Sequence, residues 1–171
     1  DQILLDMKIA HRDVDLALDG ADAIPSLTSF DRVILLMPPL DGLGTHLSDI
    51  MSWVSAGGSL MLAMPPDNSS YLQVIASKLG IESAGYDYVK AESIVPSEDF
   101  MLGGGERYEL SAPFDSSLSV SLRETAREWA KTGDAGAPLI WSNDCGSGRT
   151  VVCNIGIYDK VMRGFFAAAI S

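Results

Sequence analysis

Apolar residues follow two rhythms along this chain, and the change comes near Gly80. Between Asp31 and Gly80, short apolar runs alternate with stripes at helical spacing. Arg32 to Met37 is a run suited to a buried strand, and Leu47, Ile50, Met51 and Val54 then fall on one face of a helix that Thr45 can cap. Gly57-Gly58 stops that helix. Leu60 to Met64 reads as a second buried strand, Ser69 or Ser70 opens another helix, and Leu72, Ile75, Ala76 and Leu79 form its stripe before Gly80. Upstream, the same scheme places a helix near Gln2 to Ile9 and a strand near Val14 to Leu18. Strand and helix in alternation imply a parallel sheet covered on both faces.

Beyond Gly80 the sequence becomes alternating and rich in turn residues. Tyr108 to Ser111 and Leu118 to Leu122 read as strands, while Thr125 to Lys131 fits either a short helix or a strand. Leu139 to Ser142 and Thr150 to Asn154 form two arms of a hairpin joined through Asp144-Cys145-Gly146-Ser147-Gly148. A final helix follows, capped by Asp159, with Met162, Phe165, Phe166, Ala169 and Ile170 on its apolar stripe. The expected fold class is α/β: a flavodoxin-like three-layer α/β/α sandwich with a mostly parallel sheet and an antiparallel C-terminal extension.

At 171 residues the chain fits one domain, of a size that buries roughly 70% of the surface its unfolded form exposes. It starts at Asp1 inside an amphipathic segment, so residues 1–171 read as a single domain excised from a longer protein. Twelve basic against 23 acidic residues give a net charge of -11, which repels a phosphate backbone and excludes nucleic acid as a partner. No apolar run reaches the roughly 20 residues needed to cross a bilayer as a helix, so no direct membrane insertion is expected. The oligomeric state is left open.

The two strand-end loops are where an α/β sheet places its chemistry. They hold Pro38-Pro39-Leu40-Asp41-Gly42 and Pro65-Pro66-Asp67-Asn68-Ser69-Ser70, with no nucleophile among them apart from the two serines. Those serines lack the glycines of a nucleophile elbow and any histidine downstream, and serve as helix caps. Asp41, Asp67 and Asn68 remain as candidate ligand-binding residues, joined by Asp159 if its loop shares the same edge. Helix capping and turn formation compete with that role.

Other motifs are weaker. Gly146-Ser147-Gly148-Arg149-Thr150 lacks the spacing and lysine of a phosphate-binding loop and precedes a strand, so it reads as a hairpin turn. His11-Arg12-Asp13 has none of the companions of a kinase catalytic loop, and Gly103-Gly104-Gly105 reads as a surface loop. His46 and Asp49 have no second histidine or cysteine at ligand spacing, so no metal site is expected, and no cofactor motif is present. In the hairpin, Cys145 faces Gly148 while Cys153 lies several rungs away, so the two thiols stay free.

The runs Arg32 to Met37, Met51 to Leu60, Pro138 to Trp141, Gly146 to Val152 and Asp159 to Gly164 together resemble class I glutamine amidotransferase-like domains. The likeness is to the non-catalytic versions in bacterial glycan-associated proteins, where such a domain precedes a polysaccharide-deacetylase-like one. It implies an extracytoplasmic or cell-surface setting and a neighbouring domain of the same polypeptide as partner. A working member carries a Cys-His-Glu triad. No histidine follows His46 and the turn after Leu60 to Met64 offers no cysteine, so the triad cannot be assembled and no catalytic residue is assigned.

The expected function is a binding, regulatory or interdomain packing module. Two alternatives stay open: a hydrolase acting on a carbohydrate or ester through the carboxylates of Asp41 and Asp67, and a flavodoxin-like module binding a nucleotide or flavin at the sheet's switch point.

Overall fold

The computed structural model describes residues 2–36, 40–64, 70–85, 87–100, 104–116 and 118–171. The first helix, α1, spans Gln2–Asp6 and the second, α2, Leu16–Asp19. A strand was expected where α2 stands, from the alternation of Val14, Leu16 and Leu18. Local capping wins there: the Asp15 carboxylate accepts from the N–H groups of Ala17 and Leu18, at 2.9 and 3.3 Å, while Asp19 reaches back to the Asp15 N–H at 3.1 Å.

Strand β1, Arg32–Leu36, leads through a 3-10 turn, Leu40–Leu43, to helix α3, His46–Ser55. The expected stripe of α3 is its buried face: Leu47, Ile50, Met51 and Val54. Thr45 precedes the helix but makes no side-chain cap bond, because its own backbone is already helical. Strand β2, Ser59–Ala63, is followed by α4, Ser70–Ile75, whose end tightens into a 3-10 turn over Ala76–Leu79. Then come β3, Ile81–Gly85, and β4, Val89–Pro96, neither of which the hydrophobic pattern had marked. The remaining strands are β5, Tyr108–Ser116; β6, Ser119–Leu122; β7, Arg127–Thr132; β8, Pro138–Cys145; and β9, Gly148–Cys153. Helix α5, Lys160–Ile170, closes the fold.

Seven strands form one sheet in the order β1-β2-β9-β8-β7-β4-β5, and β3 pairs with β6 in a small antiparallel ribbon. Only the β1-β2 and β2-β9 pairings are parallel; the other four in the large sheet are antiparallel. The flavodoxin-like three-layer sandwich is therefore not the fold. This is a mixed sheet, predominantly antiparallel, with few helices among the described residues, the longest of them 10 and 11 residues.

The reason lies in the β8-β9 hairpin. It enters the middle of the sheet, β9 lying parallel to β2 in register Leu60↔Thr150 and Leu62↔Val152 while β8 returns antiparallel to β9, and each pairing beyond it is antiparallel as well. What looked like a C-terminal extension is the larger part of the sheet.

Each face of the sheet carries its own core. On one, Leu60, Leu62, Trp141 and Val152 pack under α3 and α4; on the other, Met61, Ala63, Ile140 and Cys153 pack with Phe165 and Ile170 of α5. The strand period of two sends alternate residues of β2 and β9 to opposite cores.

The central hairpin is tied to both sides of the chain that precedes it. Trp141, fully buried, donates its indole N–H to the Leu79 carbonyl at 2.9 Å, and Asn143 Nδ2 and Thr150 Oγ1 donate to the Lys78 carbonyl at 3.1 and 2.9 Å. These carbonyls end a helical turn and have no intrahelical partner. On the other side the hairpin turn lies against the end of α3, with Ser147 N–H on the Ser55 carbonyl at 3.0 Å and Arg149 N–H on the Gly58 carbonyl at 3.1 Å. Gly146 takes a positive φ of 63°, and a Cβ at Gly148 would fall on the Val54 and Gly58 carbonyl oxygens. Both glycines are needed here for close backbone approach. The register Cys145↔Gly148 and Ile140↔Cys153 keeps the thiols apart, and both are free.

Candidate functional site

Because β1, β2 and β9 are adjacent and parallel, the segments that leave their carboxyl ends emerge along one edge. Asp41 and Asp159 both belong to that edge, on either side of β2. Strands lie about 4.8 Å apart, so the strands these residues follow are separated by about 10 Å. No hydrogen bond joins the two carboxylates among the described residues. Asp67 and Asn68, with Pro38, Pro39, Pro65, Pro66 and Ser69, lie outside the described residues.

Asp159 is fully engaged. Its Oδ1 accepts the Met162 N–H at 2.8 Å, capping α5, and its Oδ2 accepts the backbone N–H and the hydroxyl of Ser111 at 3.0 and 2.9 Å. Burial pushes its pKa upward, but the N–H groups of Met162 and Ser111, the Ser111 hydroxyl and the Val161 N–H together outweigh burial and hold it below the ordinary aspartate value. The carboxylate thus clamps α5 to β5. Asp41 stands exposed on the 3-10 turn after β1, where its backbone carbonyl accepts the Gly44 N–H at 3.3 Å.

Met64, immediately after β2, has a φ of 49°. Its N–H continues the parallel ladder onto the Cys153 carbonyl at 2.8 Å before the chain turns into this left-handed conformation. A non-glycine residue held there costs on the order of 1 kcal/mol or more, and such positions concentrate at functional sites. Nothing in the sequence signals it, since methionine has no preference for positive φ.

The edge is also apolar. Leu36 ends β1 at 50% exposure, Tyr158 precedes α5 at 69%, and Tyr71 lies in the first turn of α4 at 36%. Tyr158 leans on Phe114 of β5, the ring centroids 6.0 Å apart.

His46 points its Nε2 at the Asp22 carboxylate, 3.3 Å away, and with Asp49 and Trp53 lines a cleft of about 290 Å³ against residues 24–28. Among the described residues no three His, Cys, Asp or Glu side chains gather to hold a metal ion. His11 bonds the Ile9 carbonyl through Nδ1 at 2.9 Å and lies 3.8 Å from Asp13, a local turn arrangement. Cys153 is fully buried and its thiol is pushed up to about 12 by that burial, against a smaller opposing pull from the Ile155 backbone. Cys145 sits at the hairpin turn, at the opposite edge, its Sγ 3.5 Å from Ser55 Oγ. Burial of Cys153 thus works against forming the thiolate that a nucleophile needs.

The fold defined here, a mixed sheet with three parallel strands at one end, has known relatives in solved structures. Cytoplasmic protein STM3548 from Salmonella typhimurium matches with a TM-score of 0.74 at 15% identity, covering 99% of this chain and 81% of that one. A ThuA-like protein from Bacteroides uniformis ATCC 8492 matches at 0.58 and 10% identity, covering 99% and 80%. A β-galactosidase from Rahnella sp. R3 matches at 0.65 and 23% identity; 99% of this chain is covered, but only 25% of that chain. At these identities the likeness is one of fold alone.

The sequence itself identifies the family: residues 1–123 match that of the uncharacterised proteins conserved in bacteria designated DUF2194, and the chain belongs to it. No curated protein matches the chain. Membership of this family overturns the resemblance to class I glutamine amidotransferase-like domains. Two of the segments that carried the resemblance are explained by packing: Gly57-Gly58 ends α3, and Gly146-Ser147-Gly148 lets the central hairpin meet it.

Proposed function

We propose that this chain is a non-catalytic module that docks onto a neighbouring domain of the same polypeptide through the carboxyl edge of β1, β2 and β9. The observation that carries this reading is the exposure of Leu36, Tyr71 and Tyr158 along that edge, beside an aspartate whose hydrogen-bonding capacity is spent on the fold. Aromatic and aliphatic side chains left in water at one edge suit burial against another surface better than the turnover of a small substrate. The fold forms about a quarter of the Rahnella β-galactosidase chain, which supports a role as one part of a longer, glycan-related protein.

The test is direct binding between this chain and the separately produced remainder of its natural polypeptide. Binding is expected, and Tyr158→Glu should weaken it by about tenfold or more, the loss usual for an aromatic anchor. Binding unaffected by Tyr158→Glu and by Leu36→Glu would overturn the assignment of this edge.

A further inference from the structure

The opposite edge of the sheet, where the parallel strands begin, carries a second concave surface that the docking reading does not use. Arg32, Ser59 and Arg149 are register partners on the three adjacent parallel strands, so their side chains share one face. Strand spacing places the two arginines about 10 Å apart at Cα, with Ser59 between them. A cleft of about 220 Å³ opens on this row. Two residues further along the same strands lie the partly exposed Val151 and, beneath the surface, the fully buried Met61; Phe100, Trp129 and the last turn of α5 also line the cleft.

The charges around the cleft are unevenly matched. Asp99 is held by Arg127 Nη2 at 2.9 Å, and that guanidinium covers the Trp129 ring at 4.0 Å from its centroid. Arg149 meets Asp144 only through Nε, at 3.5 Å between two exposed side chains. Arg32 makes no hydrogen bond or ion pair among the described residues. Ser142 Oγ accepts the Trp129 indole N–H at 2.8 Å, which leaves its own O–H to donate. Two cations in one row repel each other unless an anion lies between them.

We propose that this cleft binds a small carboxylate with an apolar body. The carboxylate lies between Arg32 and Arg149, and the body rests on Val151 beside Phe100 and Trp129. Guanidinium forks match a carboxylate in two parallel hydrogen bonds. The cleft is smaller than the roughly 300–1,000 Å³ of sites for drug-sized molecules, which limits the occupant to about one ring or a short chain. A net charge of -11 disfavours the approach of anions at long range, so selection rests on contact inside the cleft.

Benzoate tests the proposal, with benzamide as its neutral match and inorganic phosphate as an anion without an apolar body. Titrations of the chain followed by amide and indole NMR shifts should show saturable benzoate binding at Arg32, Ser59 and Trp129. Benzamide and phosphate should each bind about tenfold more weakly or worse, and Arg32→Gln and Arg149→Gln should each weaken benzoate by a similar factor. Both arginines are exposed, so the variants should keep the wild-type circular dichroism melt. Equal binding of benzamide would overturn the role of the charge, equal binding of phosphate would overturn the apolar body, and benzoate binding unchanged in both variants would overturn the site. None of these results bears on docking at the other edge.

Discussion

Gly148 shows how much one hydrogen atom can matter in this fold. Its backbone dihedral is one that other residues can adopt, yet a methyl group would fall on the carbonyl oxygens of Val54 and Gly58, both backbone atoms that cannot swing aside. Gly148→Ala should therefore destabilise the protein by about 2–4 kcal/mol, measured by urea unfolding, through separation of the hairpin from α3. A change within experimental error would mean that the contact is loose. Asp159 acts through hydrogen bonds instead. Its native pKa lies below the ordinary value near about 3.9, so its contribution is complete above that value and is lost as pH falls through the lower native one. Asp159→Ala should cost about 1 kcal/mol at neutral pH, and the difference between wild type and variant should shrink as the pH is taken below about 4. A difference independent of pH would contradict the ionised clamp. Cys153 provides a third check: buried, with its thiol pushed up to about 12, it should react with iodoacetamide at pH 8 at least about a hundredfold more slowly in the native protein than in the unfolded chain.

At the scale of elements, the β8-β9 hairpin organises the molecule. It was legible in the sequence because its signals are local: two apolar arms, a glycine turn, and Thr150 at the start of the return strand. Its place in the sheet was not legible, since nothing local states that β9 will lie parallel to β2 after an antiparallel excursion through β4, β5, β7 and β8. Val14 to Leu18 failed in the other direction, where weak alternation gave way to a capping interaction between Asp15 and Asp19. Thr125 to Lys131, readable either way, forms strand β7 over Arg127–Thr132 because β8 and β4 pair with both of its edges. The candidate site divides likewise: Asp159 was recognisable as a cap, whereas its bonds to Ser111, 48 residues away, were not. The Arg32-Ser59-Arg149 row was equally hidden, because three distant residues become neighbours only once the strand order is known. If the hairpin is the keystone described above, Trp141→Phe should lower stability by about 2–3 kcal/mol, since it leaves the Leu79 carbonyl buried without its donor and removes packing volume. An unchanged denaturation midpoint would show that the Leu79 carbonyl finds another partner.

For the whole molecule, the two ends of the parallel strands have different characters. One end presents Leu36, Tyr71 and Tyr158 around a structural aspartate; the other presents two arginines beside Val151, Phe100 and Trp129. Under the two proposals, one end meets a protein surface and the other a small anion, in a fold similar to about a quarter of the Rahnella β-galactosidase chain. The most direct test of docking is hydroxyl-radical footprinting of the longer polypeptide that the proposal requires, beside the 171-residue chain alone. Oxidation of Leu36, Tyr71 and Tyr158 should fall by about fivefold or more in the longer polypeptide, as expected for side chains taken into an interface core, while exposed Tyr88 and Leu18 serve as references that do not change. Equal oxidation of the three edge residues in both forms would contradict docking through this edge.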